Sequence, residues 1–271
     1  PLAGDWHYRV EQDFGDLSTP PVAPLGAANP NTPTVLYNGM IHPLIPYGMR
    51  GAIWYQGESN AGRGYEYRTL FPAMIRDWRT RWGLGDFPFY FVQLANYQAG
   101  TDAGVDSAWA ELREAQTMTL SLPNTGMAVI IDIGESTDIH PKNKQDVGKR
   151  LARNALAKTY GRNLVPNGPH YSHYAVESGT IRVFFTDVGK GLVTKGGKGA
   201  KGAVATCVVA GADRKFVPAQ ARVEGRLGLL VAGGGVGQGH GAGRADGADE
   251  FQRPRLLRGD GVGDVAERRA A

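Results

Sequence analysis

The sequence contains a single cysteine, Cys207, among its 271 residues. One cysteine excludes a disulfide within the chain, and a structural zinc site needs several Cys or His ligands at set spacings. No uninterrupted apolar run approaches the roughly 20 residues that cross a bilayer, and residues 1–8 lack the charged and apolar regions of a signal peptide. We therefore expect no metal, no cofactor, no contact with a membrane and no export signal within these residues.

Clustered charge of one sign is also scarce. Lys and Arg number 30 against 26 Asp and Glu, which gives a formal net charge of +4. The pI of about 9.2 is of the kind seen in proteins with anionic partners. The basic residues are nevertheless scattered among acidic ones, without a basic run interleaved with aromatics. We therefore expect no nucleic-acid partner.

The C-terminal segment lacks many residue types at once. After Lys215 the sequence has no Lys, Ile, Asn, Ser, Thr, Tyr, Trp or Met, whereas Gly, Ala, Arg, Val and Asp dominate. Two explanations remain open: a disordered Gly-rich extension, or translation of a GC-rich gene in a shifted frame. Under either explanation residues 222–271 form a disordered tail, and residues beyond about Gly225 should not pack.

Apolar and amphipathic segments alternate between residues 50 and 160. Short apolar runs predict buried strands, and apolar residues at three- and four-residue steps predict helices. Repeated strand and helix units of this length indicate an α/β fold with a parallel sheet covered by helices. The predicted strands are 50–56, 89–94 and 126–132, and the predicted helices are 67–82, 106–120 and 142–160.

The pattern changes on both sides of this region. Residues 1–33 include a stretch rich in Pro, Ala and Asn, which predicts an irregular lead-in. The α/β domain is expected at 34–165. Residues 166–221 carry alternating and β-branched runs at 180–186 and 202–210 between Gly-rich turns, and they predict a small β-rich extension.

The helical periodicity also predicts which side chains face the core. In helix 67–82 the inner face includes Tyr67, Leu70, Phe71 and Ile75, whereas Arg79 points elsewhere. In helix 142–160 the inner face includes Leu156.

Polar residues follow two of the predicted strands, where substrate sites of parallel sheets lie. Gln56, Gly57, Glu58 and Asn60 form a turn of the kind that supplies oxyanion donors, from backbone N–H groups and amide side chains. The alternative is a polar turn in which Glu58 and Asn60 only tie down the backbone.

A second polar group follows the third strand. Asp138 precedes His140 by two residues, which suits a general base held in one tautomer by a carboxylate. The alternative is that His140 is a loop residue that caps the next helix.

Several long motifs resemble one family in the same order. They are TVLYNGMIHPLIPYGMRGAIWYQGESNA (34–61), FYFVQLANY (89–97), LREAQ (112–116), DIGESTDIHPKNKQDVGKRLA (132–152), GLVTKG (191–196) and AGADRKFVPAQA (210–221). Together they resemble the sialate O-acetylesterase family of SGNH hydrolases over roughly four fifths of the chain. The resemblance implies a flavodoxin-like parallel α/β core and an enzyme that removes acetyl groups from sugar hydroxyls through a serine nucleophile and a His base.

The resemblance also implies roles for individual residues. His140 matches the family's base, and Gln56, Gly57, Glu58 and Asn60 lie in the loop that binds the oxyanion. Asp138 is the preferred orienting carboxylate, with Asp132 as a second candidate. An acetylated carbohydrate is the implied substrate. The compartment cannot be read from the residues, but the resemblance implies a periplasmic or secreted protein.

The family's nucleophile lies in an early GQSN-like segment that this chain lacks before Thr34. Ser59 also stands in a G-x-S-N pattern, but the surrounding residues match the later oxyanion loop. We therefore expect an incomplete SGNH core without its serine, which needs the missing N-terminal segment to complete the fold. A strand at 50–56 would then expose an unpaired apolar edge.

Two other functions remain open at this stage. The chain could be a catalytically inactive carbohydrate-binding fragment. It could also be a glycosidase that pairs Glu58 with Asp138, although this hypothesis leaves His140 without a role.

Overall fold

The computed structural model describes residues 29–97, 107–177, 179–194, 203–210, 216–225 and 228–233. The chain divides into two compact units, residues 1–48 and 49–271. In the first unit, residues 29–48 form helical turns at Tyr37–Ile41 and His42–Leu44. The rings of Tyr37 and His42 meet edge to face, with centroids 6.1 Å apart. Most of the predicted lead-in, residues 1–28, lies outside the described residues.

The second unit begins with the predicted parallel sheet. Its strands are β1 (Ala52–Trp54), β2 (Phe89–Val92) and β3 (Thr125–Ala128), in the order β1-β2-β3. Both pairings are parallel. The helices between and after them are α1 (Gly64–Trp82), α2 (Ala108–Met118) and α3 (Lys144–Asn154). The predicted α/β fold is therefore confirmed, with strands shorter than the apolar runs suggested.

The sheet is packed on both faces because side chains alternate along a strand. Phe89 and Phe91 of β2 belong to a core cluster that includes side chains of α1 and α2. Tyr90 and Val92 belong to a second cluster, which includes Val147 of α3. In the part of the chain that the structure describes, no helix is both long and apolar enough to cross a membrane.

Strand β1 differs from β2 because only one of its faces is covered. Ala52 and Trp54 pack against the first cluster. Ile53, which points to the other face, is 71% exposed. Among the described strands, β1 pairs only with β2, so its second edge has no strand beside it.

The prediction for Arg79 is wrong, because this side chain is only 5% exposed. Its guanidinium donates hydrogen bonds to the carbonyl oxygens of Phe87 and Pro123, both at 2.8 Å from Nη2. The charge is thus buried with its donors satisfied, as burial of an arginine requires. The inward predictions for Leu70 and Leu156 are also wrong, since both are exposed. Leu156 lies in the π-helical turn Ala155–Thr159 that follows α3.

The β-rich extension is an antiparallel sheet of five strands in the order β4-β5-β8-β7-β6. The strands are β4 (His170–Glu177), β5 (Thr180–Thr186), β6 (Ala203–Ala210), β7 (Phe216–Glu224) and β8 (Gly228–Gly233). The small β-rich module predicted after the α/β core is therefore present.

The predicted boundary of the tail at residue 222 is wrong. Strand β7 runs through it to Glu224, and β8 pairs with both β5 and β7 in the interior of the sheet. Val231 of β8 is only 2% exposed. The unusual composition hid a strand, because GLLVAG still supplies the apolar residues that a paired strand requires. Residues 234–271 lie outside the described residues.

Candidate active site at the carboxyl edge of the sheet

The parallel sheet brings the two predicted polar groups to one edge. Because β1, β2 and β3 run in the same direction, the loops that follow them leave from the same side of the sheet. The loop after β1 carries Gln56 to Asn60, and the loop after β3 carries Asp138 and His140. Just beyond these loops, Lys144 Nζ lies 4.8 Å from the centroid of the Tyr55 ring. This cation–π contact joins the end of β1 to the start of α3.

The loop after β1 turns at Gly57, whose φ of +149° and ψ of −13° favour glycine. The surroundings demand glycine as well. A Cβ at this position would lie 3.2 Å from Nε2 of Gln116 and 3.3 Å from Cδ2 of Leu112. The Gly57 carbonyl accepts a hydrogen bond from the Asn60 N–H at 2.9 Å, which starts the 3₁₀ helix Glu58–Arg63. The turn is therefore held both by its own hydrogen bonds and by packing against α2.

Gln116 was not predicted to have a role in the site. Its side chain is fully buried on α2. Oε1 accepts from the Leu94 N–H at 2.9 Å, and Nε2 donates to the carbonyls of Val92 at 3.3 Å and Gln56 at 3.4 Å. The ends of β1 and β2 are thus joined through one carboxamide. An amide on the inner face of α2, beside Leu112 and Ala115, was the signal in the sequence that could have identified it.

Asn60 is oriented by a neighbour in the 3₁₀ helix. Its Oδ1 accepts a hydrogen bond from Nη2 of Arg63 at 3.1 Å. This contact turns the carboxamide oxygen toward Arg63 and its NH₂ group toward the opposite side. Asn60 can therefore act as a hydrogen-bond donor at the edge of the sheet.

The charge of Glu58 affects two phenols near the turn. Burial raises the pKa of Tyr67 to about 12; a hydrogen bond with Trp54 opposes this shift, and the negative charge of Glu58 adds to it. Burial also raises the pKa of Tyr55, again with a contribution from Glu58. Both phenols are therefore neutral near pH 7, and Glu58 is the ionisable group of this turn.

The loop after β3 is closed by hydrogen bonds to its own backbone. Oδ1 of Asp138 accepts from the backbone N–H of His140 at 2.8 Å, and Oε1 of Glu135 accepts from the N–H of Lys142 at 3.0 Å. The helix that follows is capped by Asn143, whose side chain accepts from the N–H of Asp146. His140 is therefore not the residue that caps this helix.

The imidazole of His140 is not yet held by a carboxylate. Its Nδ1 lies 3.9 Å from Oδ1 of Asp138, beyond hydrogen-bonding distance, and the side chain is 89% exposed. The same Asp138 oxygen already holds the His140 backbone. A small rotation of the imidazole about its side-chain bonds is needed to bring Nδ1 to this carboxylate.

Asp132, the second candidate for the orienting carboxylate, has another partner. Its two oxygens accept hydrogen bonds from Nη1 and Nη2 of Arg150 at 2.5 and 2.7 Å. Arg150 Nη1 also donates to the Val129 carbonyl at 2.6 Å, so this pair braces the segment between β3 and α3. Within the described ranges, no group of three or more His, Cys, Asp or Glu side chains is arranged to hold a metal.

The three-stranded parallel sheet and its helices define the class of the protein as an SGNH-like α/β fold. Residues 30–157 match the model of a family described as carbohydrate esterase, sialic acid-specific acetylesterase. The matched segment contains all three parallel strands and both polar loops. Over these residues the chain is similar to the sialate O-acetylesterase family.

Individual relatives show the same similarity. The chain is 40% identical to the sialate O-acetylesterase of Mus musculus over 52% of its own length and 29% of the mouse protein. For the sialate O-acetylesterase of Homo sapiens the identity is 37%, over 30% of that protein. The structure of a carbohydrate acetylesterase from Xanthomonas citri is similar, with a TM-score of 0.69 and 48% identity over 74% of this chain and 46% of that one. The chain thus spans less than a third of the length of the mouse and human proteins.

Proposed function

We propose that this chain supplies the base and the oxyanion loop of a carbohydrate O-acetylesterase. The enzyme removes acetyl groups from sugar hydroxyls through an acyl-enzyme, and its serine belongs to a segment outside this chain. The observation that carries the proposal is the parallel pairing of β1, β2 and β3, from which both polar loops leave at one edge. The names of the relatives support an acetylated carbohydrate as substrate.

The roles of the residues follow from the chemistry of ester hydrolysis. His140 takes the proton of the serine hydroxyl as its oxygen attacks the acetyl carbonyl, and it then gives the proton to the departing sugar oxygen. Asp138 orients the imidazole and stabilises its protonated form. The Gly57 N–H and the Asn60 NH₂ group donate to the oxyanion. Water then attacks the acetyl-serine with His140 again as the base, releasing acetate.

Strand β1 supports the idea that a further segment completes the site. Its second edge has no neighbour among the described strands, and Ile53 exposes an apolar side chain there. A strand added at this edge would pair the free N–H and C=O groups of β1, and a helix with it would cover Ile53. A parallel strand in this position would end beside the loop that carries Gly57, where a nucleophile is needed.

The test is acetate release from O-acetylated sugars and from p-nitrophenyl acetate by the full-length gene product. We expect His140→Ala to lower kcat by about 10³-fold or more, as loss of a catalytic base does. His42→Ala is the matched control, because His42 and His140 each stand in the middle of an Ile-His-Pro tripeptide. Activity retained in His140→Ala would remove His140 from the mechanism.

Ser59 provides a second test of the proposal. This side chain is exposed in the 3₁₀ helix that leads into α1. If the nucleophile lies in another segment, Ser59→Ala retains most of the esterase activity. Loss of the activity together with the loss of acyl-enzyme formation, measured by mass spectrometry, would identify Ser59 as the nucleophile instead.

The exposure of His140 favours one alternative for the chain taken alone. Because no carboxylate of the described residues lies within hydrogen-bonding distance of the imidazole, the chain by itself could bind an acetylated sugar without hydrolysing it. Calorimetry on the chain and on the full-length gene product separates the two functions. Binding without acetate release by both proteins would favour a carbohydrate-binding role.

A further inference from the structure

The side chain of Gln116 links α2 to the peptide that precedes Gly57. Its Nε2 donates to the Gln56 carbonyl at 3.4 Å. The same nitrogen donates to the Val92 carbonyl, and Oε1 accepts from the Leu94 N–H. The bonds to Val92 and Leu94 fix the carboxamide of Gln116, and the bond to Gln56 holds the turn to the carboxamide.

The planarity of the peptide bond turns this contact into a constraint on Gly57. In a trans peptide the C=O and the following N–H point in opposite directions. Because the Gln56 carbonyl points at the buried amide of Gln116, the Gly57 N–H must point away from it. Rotation of this peptide would break the contact with Gln116 and leave the buried amide short of an acceptor.

The packing at Gly57 adds a second constraint from the same side chain. The position where a Cβ would lie on Gly57 is 3.2 Å from Nε2 of Gln116. A side chain at this position would therefore crowd the carboxamide.

We infer that Gln116 is a positioning residue that fixes the direction of the Gly57 N–H in the oxyanion loop. This inference rests on the proposed esterase function and deepens it. Gln116 itself does not reach the substrate, because it is fully buried beneath the turn.

A matched control lies directly after β2. Gln93 is also buried, and its Nε2 donates to the Arg113 carbonyl at 3.1 Å and to Oγ1 of Thr117 at 2.9 Å. It thus fastens α2 to the sheet, as Gln116 does. None of these bonds involves the loop after β1. Replacing either glutamine with methionine removes a buried carboxamide and keeps a side chain of similar volume. Only the change at Gln116 removes a hydrogen bond to the turn.

The experiment compares Q116M and Q93M in the full-length gene product. We expect both variants to lose stability, measured by urea unfolding. We expect only Q116M to lower kcat, by roughly 10- to 100-fold, which is less than the loss of a complete oxyanion donor. KM should change little, since the donor acts on the transition state. Hydrogen exchange of the Gly57 amide should accelerate in Q116M and not in Q93M.

Other outcomes separate this inference from the function on which it rests. An active wild-type protein in which both variants lose kcat equally would overturn the role of Gln116 and leave the esterase intact. A wild-type protein without esterase activity would reject the proposed function and the role of Gln116 in it. If Q116M does not fold, Gln116→Glu keeps the shape and the acceptor for Leu94, and the same comparison of kcat with Q93M applies.

Discussion

Substitution of Gly57 by alanine tests the geometry of the proposed oxyanion loop most directly. A side chain at φ of +149° and ψ of −13° adopts a backbone conformation that costs about 1–3 kcal/mol. The added Cβ would lie 3.2 Å from Nε2 of Gln116 and 3.3 Å from Cδ2 of Leu112, and such overpacking costs about 1–3 kcal/mol. Alanine recovers about 0.4–1 kcal/mol through the unfolded chain. We therefore expect Gly57→Ala to lower the free energy of unfolding by about 2–4 kcal/mol.

Gly62 offers a matched control in the same 3₁₀ helix. A Cβ on Gly62 would have no heavy atom within 4 Å. We expect Gly62→Ala to change the free energy of unfolding by less than about 1 kcal/mol. The assay is urea unfolding of the full-length gene product followed by tryptophan fluorescence, with kcat for p-nitrophenyl acetate measured in native buffer. Gly57→Ala should also lower kcat, because the strained turn moves its N–H. Equal stability and equal kcat in the two variants would refute the geometry described for Gly57.

Three further expectations follow from single contacts. Arg79→Met should destabilise the protein by about 3 kcal/mol or more, because it removes the donors that bind buried carbonyl oxygens. The control, Arg81→Met, removes an exposed ion pair worth about 1 kcal/mol or less. Equal urea midpoints for the two variants would contradict this prediction. The pKa of Tyr67 is about 12, against 10 for a free phenol, so its contribution to the free energy of unfolding is complete below pH 10 and about 2–3 kcal/mol is lost as the pH rises through 12. Tyr67→Phe should remove this fall in the free energy of unfolding, measured between pH 9 and 12. Asp132→Asn should cost about 1–2 kcal/mol through its bond with Arg150 while kcat stays near the wild-type value, and a large loss of kcat would restore Asp132 as the orienting carboxylate.

The parallel core and both polar loops could be predicted from local patterns. The apolar runs at 50–56 and 89–94 contain β1 and β2, and the run at 126–132 overlaps β3. Gly83 ends α1 in the left-handed conformation that glycine favours. These features depend on residues near one another in the chain. The positions of Gly57 and His140 after strand ends followed from the same patterns, because the direction of parallel strands decides which loops share an edge.

Other features depended on contacts that no local pattern contains. Arg79 appeared to be a surface residue until the carbonyls of Phe87 and Pro123, which lie on other segments, were brought to its guanidinium. Strand β8 lies in a segment of unusual composition, and its pairing with β5 and β7 gives it a place in the sheet. Gln116 looked like one polar residue on an apolar helix face.

The sequence by itself determined the order of strands and helices in the α/β core, the glycine at the turn after β1 and the placement of an acid and a histidine after β3. The tertiary structure decided which polar side chains were buried and what they held, as with Gln116 and the turn at Gly57. The physical reason is that a strand or helix reflects the preferences of consecutive residues, whereas a buried polar group is stable only where distant segments supply its hydrogen-bonding partners.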